Sequence, residues 1–112
     1  MAYMITCLVD PRRESARAAL KADHLRYVGS RKAEIGFGGV VEAPDGSLQR
    51  VVYFVEARTE AEAWSFVLGD PYTALYETIS VMAFQQRIPL RPSPRATPDP
   101  FDFPGDLAPV SQ

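Results

Sequence analysis

The spacing of apolar and polar residues in the N-terminal part of the chain predicts a strand followed by a helix. Residues 2–9 (AYMITCLV) form a short apolar run, typical of a buried strand, and Asp10 with Pro11 ends it. Residues 12–28 are rich in Ala, Arg, Lys and Glu, which favour the helix. We expect Gly29 and Ser30 to break this helix.

The middle of the chain has the pattern of a β-hairpin. Residues 35–43 (IGFGGVVEA) and 49–57 (QRVVYFVEA) are apolar segments separated by the sequence PDGS. Pro, Asp, Gly and Ser favour tight turns because of their restricted or unusually free backbones and their short polar side chains. We therefore predict two strands joined by a turn.

A second helix and a last strand follow the hairpin. Thr59 and Glu62 have the spacing of a capping box, in which a hydroxyl and a carboxylate satisfy free backbone N–H groups at a helix start. The predicted helix ends near Gly69, and residues 77–84 (ETISVMAF) form the last strand. The apolar face of the helix is predicted to consist of Ala61, Trp64, Val67 and Leu68.

The resulting order, βαββαβ, predicts an α+β fold of the ferredoxin-like type with a four-stranded antiparallel sheet. Two helices can cover only one face of such a sheet. The third strand is nevertheless apolar on both faces, and the fourth carries Met82 and Phe84 on the second face. An antiparallel sheet with a wet face would alternate apolar and polar residues. We therefore expect a second copy of the chain to cover this face, in a homodimer.

The C-terminal segment, residues 89–112, differs from the predicted domain of residues 1–88. It contains seven of the ten prolines in the chain. Such a composition is typical of a linker or a polyproline tail. Its apolar residues offer anchoring points, and we expect it to dock on the dimer as an arm. The predicted anchors are Phe101 and Phe103, supported by Leu90 and Leu107.

Composition and charge exclude several classes of function. The net charge is −2 and the basic residues are scattered, so we expect no nucleic-acid partner. No apolar run approaches the roughly 20 residues of a membrane span, and the N-terminus lacks a basic signal-peptide region. We therefore predict a cytoplasmic protein that does not bind membranes. With one histidine and one cysteine, a structural metal site is not expected, and Cys7 is predicted to be a buried, inert thiol.

The single histidine, His24, lies on an apolar helix face with Leu20, Tyr27 and Val28. Right-handed crossovers place the C-terminal ends of both helices side by side at one end of the sheet. Asp70, in the sequence GDPY, directly follows the second helix. The fold should therefore bring His24 and Asp70 together, and a carboxylate next to an imidazole makes it a better base.

His24, Asp70 and three other residues with a possible role at this site each have a simpler structural interpretation. Asp70 before Pro71 suits the N-cap of a short helical turn. His24 could be a hydrogen-bonded core residue, and Tyr72 a core aromatic. The pair Gly38 and Gly39 could mark a bulge or a close approach of strands.

Two segments resemble the YCII-related (YciI-like) family: DHLRYVGSRKAEIGFGG, residues 23–39, and GDPYTALYETISVMAF, residues 69–84. The resemblance covers residues 2–88. It implies a dimeric α+β barrel, similar in fold to muconolactone isomerases and small cofactor-free monooxygenases, with His24 and Asp70 as a catalytic pair. We take further residues of these motifs as candidate substrate-binding residues: Phe37, Gly38, Gly39 and Tyr72.

The sequence departs from the family pattern at two places. Val40 follows the paired glycines where the family usually has Pro, and DPYTALYE is two residues shorter than the usual family segment. We therefore expect a different pocket wall, and no family substrate carries over directly.

The predicted function is acid/base chemistry without a cofactor, an isomerisation or elimination on a small ring metabolite. In this hypothesis His24 moves the proton and Asp70 orients it. Two alternatives remain open. The first is a non-catalytic module with a ligand-binding or regulatory role, and the second is a cofactor-free monooxygenase.

Overall fold

The structure, a computed structural model, describes residues 1–88. The chain forms a four-stranded sheet from β1 (Ala2–Val9), β2 (Ile35–Glu42), β3 (Leu48–Glu56) and β4 (Tyr76–Phe84). The strand order is β2-β3-β1-β4, and every neighbouring pair is antiparallel. Two helices, α1 (Arg17–Ser30) and α2 (Glu60–Leu68), complete the predicted βαββαβ order. The ferredoxin-like α+β fold is therefore confirmed. The predicted docking of residues 89–112 lies outside the described residues and stays a prediction.

The hydrophobic core lies between the helices and one face of the sheet. Alternate residues of β1 and β3 point to this face, because side chains of a strand alternate between the two sides of a sheet. Ile5 of β1 lies opposite Tyr53 of β3 and Val81 of β4. The helices add apolar side chains to the same core, and its buried members include Tyr3, Ile5, Cys7, Val9, Val51, Tyr53, Val55, Ala63, Phe66 and Val67.

The other face of the sheet, which we call the open face, is uncovered by any element among residues 1–88. It carries Phe37, Phe54 and Phe84, whose rings lie in contact. Met82 on this face is 51% exposed. The predicted apolar character of the second face is thus present in the structure.

The first helix begins later and ends later than predicted. After Asp10 and Pro11 the chain makes a turn, because the Asp10 carboxylate accepts a hydrogen bond from the backbone N–H of Arg12 at 2.9 Å. A short 3-10 segment, Glu14–Ala16, then leads into α1. The expectation that Gly29 and Ser30 break the helix was wrong, since both are helical. A Cβ at Gly29 would meet nothing within 4 Å, so this glycine is solvated helix surface rather than a break.

The second helix begins at the predicted cap, with a difference in detail. The Thr59 hydroxyl accepts a hydrogen bond from the Glu62 N–H at 3.2 Å. The Glu62 carboxylate, however, accepts from the N–H of Arg58 rather than from that of Thr59. Only half of the capping box is therefore formed, and the Glu62 carboxylate binds the backbone of Arg58, the residue before the N-cap, instead.

The predicted apolar face of α2 was partly wrong. Val67 is buried as expected, but Ala61 and Leu68 are exposed and Trp64 is only half-buried. The buried face consists of Ala63, Phe66 and Val67. The short helix is apolar on most of its circumference, so periodicity alone could not show which side faces the sheet.

The hairpin between β2 and β3 turns as predicted. Gly46 has a positive φ of 88°, a conformation that glycine adopts without steric cost. The Asp45 carboxylate accepts hydrogen bonds from the N–H and the hydroxyl of Ser47.

Neither helix of residues 1–88 has the length and apolar composition of a membrane-spanning segment.

Candidate functional site

His24 and Asp70 meet at one end of the domain although they are 46 residues apart in sequence. His24 lies in the C-terminal half of α1, and Asp70 follows the end of α2. The Nδ1 atom of His24 lies 2.8 Å from Oδ1 and 3.1 Å from Oδ2 of Asp70. The side-by-side helix ends predicted from the topology therefore produce this contact.

The Asp70 carboxylate is fully buried and well supplied with donors. Its side chain is 0% exposed. The hydroxyl of Tyr53 donates to Oδ2 at 2.8 Å, and the backbone N–H of Tyr72 donates to Oδ1 at 2.9 Å. Burial disfavours a carboxylate unless its oxygens accept hydrogen bonds, and here both do.

Asp70 also has the simpler role considered above. It is the N-cap of a 3-10 helix, Pro71–Leu75, through the hydrogen bond from the Tyr72 N–H. The cap and the histidine contact use the same carboxylate. Because the cap fixes this carboxylate relative to the backbone, it also helps to hold the contact with His24.

His24 is held in two directions. Its Nδ1 faces Asp70, and its ring stacks on Tyr72 with centroids 3.7 Å apart and an interplanar angle of 3°. Its side chain is 13% exposed. No group of residues 1–88 forms a hydrogen bond with Nε2. A histidine whose Nδ1–H donates to a carboxylate carries its free lone pair on Nε2, the arrangement of a general base.

Tyr53, on the sheet, contacts Asp70. Burial raises the pKa of its hydroxyl, and the nearby Asp70 carboxylate raises it further. The hydroxyl therefore keeps its proton and acts as a donor to Asp70. The alternation of β3 already places Tyr53 on the inward face, but its contact with Asp70 was missed, because only the packed structure shows which strand residue reaches the loop after α2.

Tyr72, a predicted substrate-binding residue, is buried beneath the imidazole of His24. Burial raises the pKa of its hydroxyl, while the nearby Arg17 opposes that increase. Tyr72 therefore lies next to His24 and packs against its imidazole ring.

The three predicted residues of β2 lie on different faces of the sheet. Gly38 lies directly opposite Tyr53 and shares the helix-covered face with it. Phe37 and Gly39 lie on the open face, where Phe37 stacks on Phe54 with ring centroids 4.5 Å apart. The structure therefore places Gly38 next to Tyr53, which contacts Asp70, and places Phe37 and Gly39 on the opposite face of the sheet.

The cavities described in residues 1–88 lie away from the pair. One of about 310 Å³ lies on the open face and is lined by Phe37, Phe54, Phe84 and Ile88 among others. Neither His24 nor Asp70 lines any of the three described cavities. Residues 1–88 contain no group of three or more His, Cys, Asp or Glu side chains suited to a metal ion.

The chain belongs to the YCII-related family. The family model, described as YCII-related domain, matches residues 1–85. This range contains His24, Asp70, Tyr53 and Tyr72. The resemblance found in the sequence is therefore confirmed. A comparison with curated proteins found no match.

Among solved structures, the chain is similar to the 5-chloro-2-hydroxyhydroquinone dehydrochlorinase TftG from Burkholderia phenoliruptrix, solved in complex with 2,5-dihydroxybenzoquinone. The two chains are 27% identical with a TM-score of 0.69, and the match covers 76% of this chain and 94% of the dehydrochlorinase.

Two weaker similarities add no argument about function. The C-terminal domain of the MgtC protein from Mycobacterium tuberculosis is 13% identical, with a TM-score of 0.46 and coverage of 74% and 86%. The protein Atu4242 from Agrobacterium tumefaciens is 18% identical, with a TM-score of 0.45 and coverage of 81% and 100%.

Proposed function

We propose that this protein is a small-molecule enzyme in which His24 is the general base of an isomerisation or elimination on a hydroxylated ring compound, with no cofactor taking part. One observation carries this proposal. The Nδ1 of His24 is engaged by a buried carboxylate at 2.8 Å, while Nε2 has no partner among residues 1–88.

The proposed chemistry follows from this arrangement. Nε2 of His24 accepts a proton from an acidic O–H or C–H group of the substrate, and the electron pair left behind forms a new π bond. In an isomerisation the imidazolium returns the proton to another carbon. In an elimination a leaving group departs with its bonding electrons as an anion. Asp70 holds the Nδ1–H and stabilises the positive charge that develops on the ring.

The substrate class is proposed from the similarity to the dehydrochlorinase, which is named for the removal of hydrogen chloride from a chlorinated, hydroxylated ring. Such a reaction is an elimination, one of the two reaction classes predicted for this chain. At 27% identity the exact ring substituents do not carry over. Val40 and the shortened segment after Asp70 are further reasons to expect a different substrate of the same class.

We also propose that the protein acts as a homodimer in which the open faces of two sheets pack together. The open face presents the contacting rings of Phe37, Phe54 and Phe84 and the exposed side chain of Met82. Apolar surface of this kind is stabilised by burial at about 25 cal/mol per Å². Soluble monomers rarely expose large contiguous apolar patches, which supports a covering copy.

The proposal is tested on the full-length chain under anaerobic conditions with a panel of hydroxylated ring compounds that includes 5-chloro-2-hydroxyhydroquinone. Chloride release reports elimination, and the absorbance spectrum of the ring reports isomerisation. We expect His24→Ala to lower turnover by roughly 10²- to 10⁴-fold, the usual contribution of a general base. Asp70→Asn should also lower turnover strongly, because an amide does not stabilise the imidazolium. Asp23→Asn is the matched control, since this exposed carboxylate pairs with Arg26 and does not touch the site.

A second measurement separates catalysis from binding. The absorbance of 2,5-dihydroxybenzoquinone reports its binding to the wild type and to His24→Ala. Binding without turnover of any ring compound in either form would contradict the enzyme proposal and assign the site to a ligand-binding module. Chloride release that survives His24→Ala would exclude His24 as the base.

A further inference from the structure

The hydroxyl of Tyr53 is the only side-chain donor, other than His24, that residues 1–88 offer to Asp70. It donates to Oδ2 at 2.8 Å, and Tyr53 is 5% exposed. Tyr53 lies on β3, so the His24–Asp70 pair is tied to the sheet as well as to both helix ends. The hydrogen bond is wholly inside the domain.

The two oxygens of Asp70 have different partners. Oδ1 accepts from the Tyr72 N–H and lies 2.8 Å from Nδ1 of His24. Oδ2 accepts from Tyr53 and lies at the longer distance of 3.1 Å from Nδ1. Without the Tyr53 hydroxyl, Oδ2 would keep only this longer contact, and the carboxylate could rotate to share Nδ1–H between its oxygens. The direction in which Nε2 points would then be less well defined.

The absence of a side chain at Gly38 leaves room for the ring of Tyr53. The two residues lie opposite each other in the pairing of β2 with β3. A Cβ at position 38 would lie 3.0 Å from the backbone oxygen of Val52 and 3.1 Å from Cδ1 of Tyr53. Both distances are shorter than ordinary van der Waals contacts, so the ring or the strand would have to shift. A side chain here would therefore move the donor of Asp70.

We propose that Tyr53 is a positioning residue for the His24–Asp70 pair, and that Gly38 serves the site by making room for Tyr53 rather than by touching the substrate. The contribution of Tyr53 to turnover rests on the proposed function. The effect of Tyr53 on the geometry of His24 is independent of that function. Burial and the Asp70 charge raise the pKa of Tyr53, so its hydroxyl stays protonated and can donate to Asp70 at neutral pH.

The test compares Tyr53→Phe with Tyr3→Phe in the full-length chain. Tyr3 is the matched control because it is also a buried tyrosine of the sheet, and its hydroxyl contacts the sulfur of Met1, not Asp70. The ¹⁵N and Nδ1–H resonances of the imidazole are unambiguous, since the chain has a single histidine. We expect these resonances to shift in Tyr53→Phe and to stay unchanged in Tyr3→Phe.

Kinetics provide the second measurement, with a hydroxylated ring compound that the wild type converts. We expect kcat to fall roughly ten- to a hundredfold in Tyr53→Phe, the range seen when a partner that orients a metal-ligating side chain is lost. KM should change little, because Tyr53 is buried beneath the site and acts through Asp70. A rise in KM with kcat unchanged would contradict the positioning role.

The outcomes separate the two proposals. If the wild type converts none of the hydroxylated ring compounds, by chloride release or by isomerisation, the proposed function fails, and the imidazole resonances alone decide the role of Tyr53. If the His24 resonances of Tyr53→Phe match those of Tyr3→Phe, the positioning role is overturned whatever the kinetics.

A second pair of variants keeps the test decisive if Tyr53→Phe does not fold. Gly38→Ala, which displaces the ring without removing the hydroxyl, should shift the His24 resonances. Gly39→Ala, on the neighbouring residue where a Cβ would meet nothing within 4 Å, should leave them unchanged. Identical His24 resonances in both alanine variants would overturn the role assigned to Gly38.

Discussion

The imidazole of His24 lies parallel to the phenol ring of Tyr72, with ring centroids 3.7 Å apart and an angle of 3° between the planes. Asp70 holds the edge of the imidazole through Nδ1, and Tyr72 holds its plane. The two contacts come from one short segment, because Tyr72 belongs to the 3-10 helix that Asp70 caps.

Replacing Tyr72 by Leu should therefore lower both turnover and stability. The leucine fills part of the volume but removes the stacking, which is worth about 0.5–1.5 kcal/mol beyond apolar burial for an aromatic pair. We expect kcat to fall about tenfold, which corresponds to about 1.4 kcal/mol of transition-state stabilisation. Turnover of a ring compound and urea unfolding measure the two effects. An unchanged kcat would show that the stacking is structural only.

Gly69 should not tolerate alanine, whereas Gly29 should. A Cβ at Gly69 would lie 2.6 Å from the hydroxyl oxygen of Tyr27, which itself donates to the Phe66 carbonyl at 2.8 Å. Gly69→Ala is therefore expected to cost roughly 1–3 kcal/mol of unfolding free energy, as overpacking does. Gly29→Ala, in the solvated part of α1, should be neutral or stabilising by up to about 1 kcal/mol. Equal effects in urea unfolding would contradict the close contact with Tyr27.

The homodimer can be tested with two matched charge substitutions. Met82 on the open face is 51% exposed, and Leu25 on α1 is 55% exposed. We expect the wild type to have a dimer mass by light scattering at micromolar concentration. Met82→Asp should weaken the dimer strongly, because an unpaired carboxylate would be buried in an apolar interface. Leu25→Asp should keep the dimer mass, and a monomeric wild type would refute the proposal.

Stability should decrease at alkaline pH because of the buried thiol. Burial raises the pKa of Cys7 from 9.0 to about 12. A group whose pKa is raised by folding stabilises the protein fully below its unfolded-state pKa, and this stabilisation is lost as the pH rises towards the folded-state value. The buried hydroxyls of Tyr53 and Tyr76, whose pKa values are also raised by burial, act in the same direction from about pH 10.

We therefore expect the urea midpoint to be constant up to about pH 9 and to fall above it. Each such group costs about 1.4 kcal/mol per pH unit once its unfolded form has ionised. Cys7→Ala should reduce the fall between pH 9 and 10. The native thiol should not react with a disulfide reagent at pH 8 until urea is added. Rapid reaction of the folded protein would contradict the burial of Cys7.

Much of the site could be anticipated from local patterns. The apolar face around His24 and the cap signal of Asp70 before Pro71 are local features, and both are present in the structure. The contact between them followed from the handedness of the crossovers, which is a general property of such folds. The roles of Tyr53 and Gly38 were not visible, because they depend on strand register and on distances between residues far apart in sequence.

The amino-acid sequence by itself determined the element order, the turn at Gly46, the apolar second face of the sheet and the membership in the family, since each depends on short-range pattern or on motifs. Only the tertiary structure decided which side of α2 is buried, where α1 begins, and which groups surround the Asp70 carboxylate. The physical reason is that a hydrogen bond of 2.8 Å requires a relative placement that local propensity does not encode. Packing of the whole domain supplies that placement.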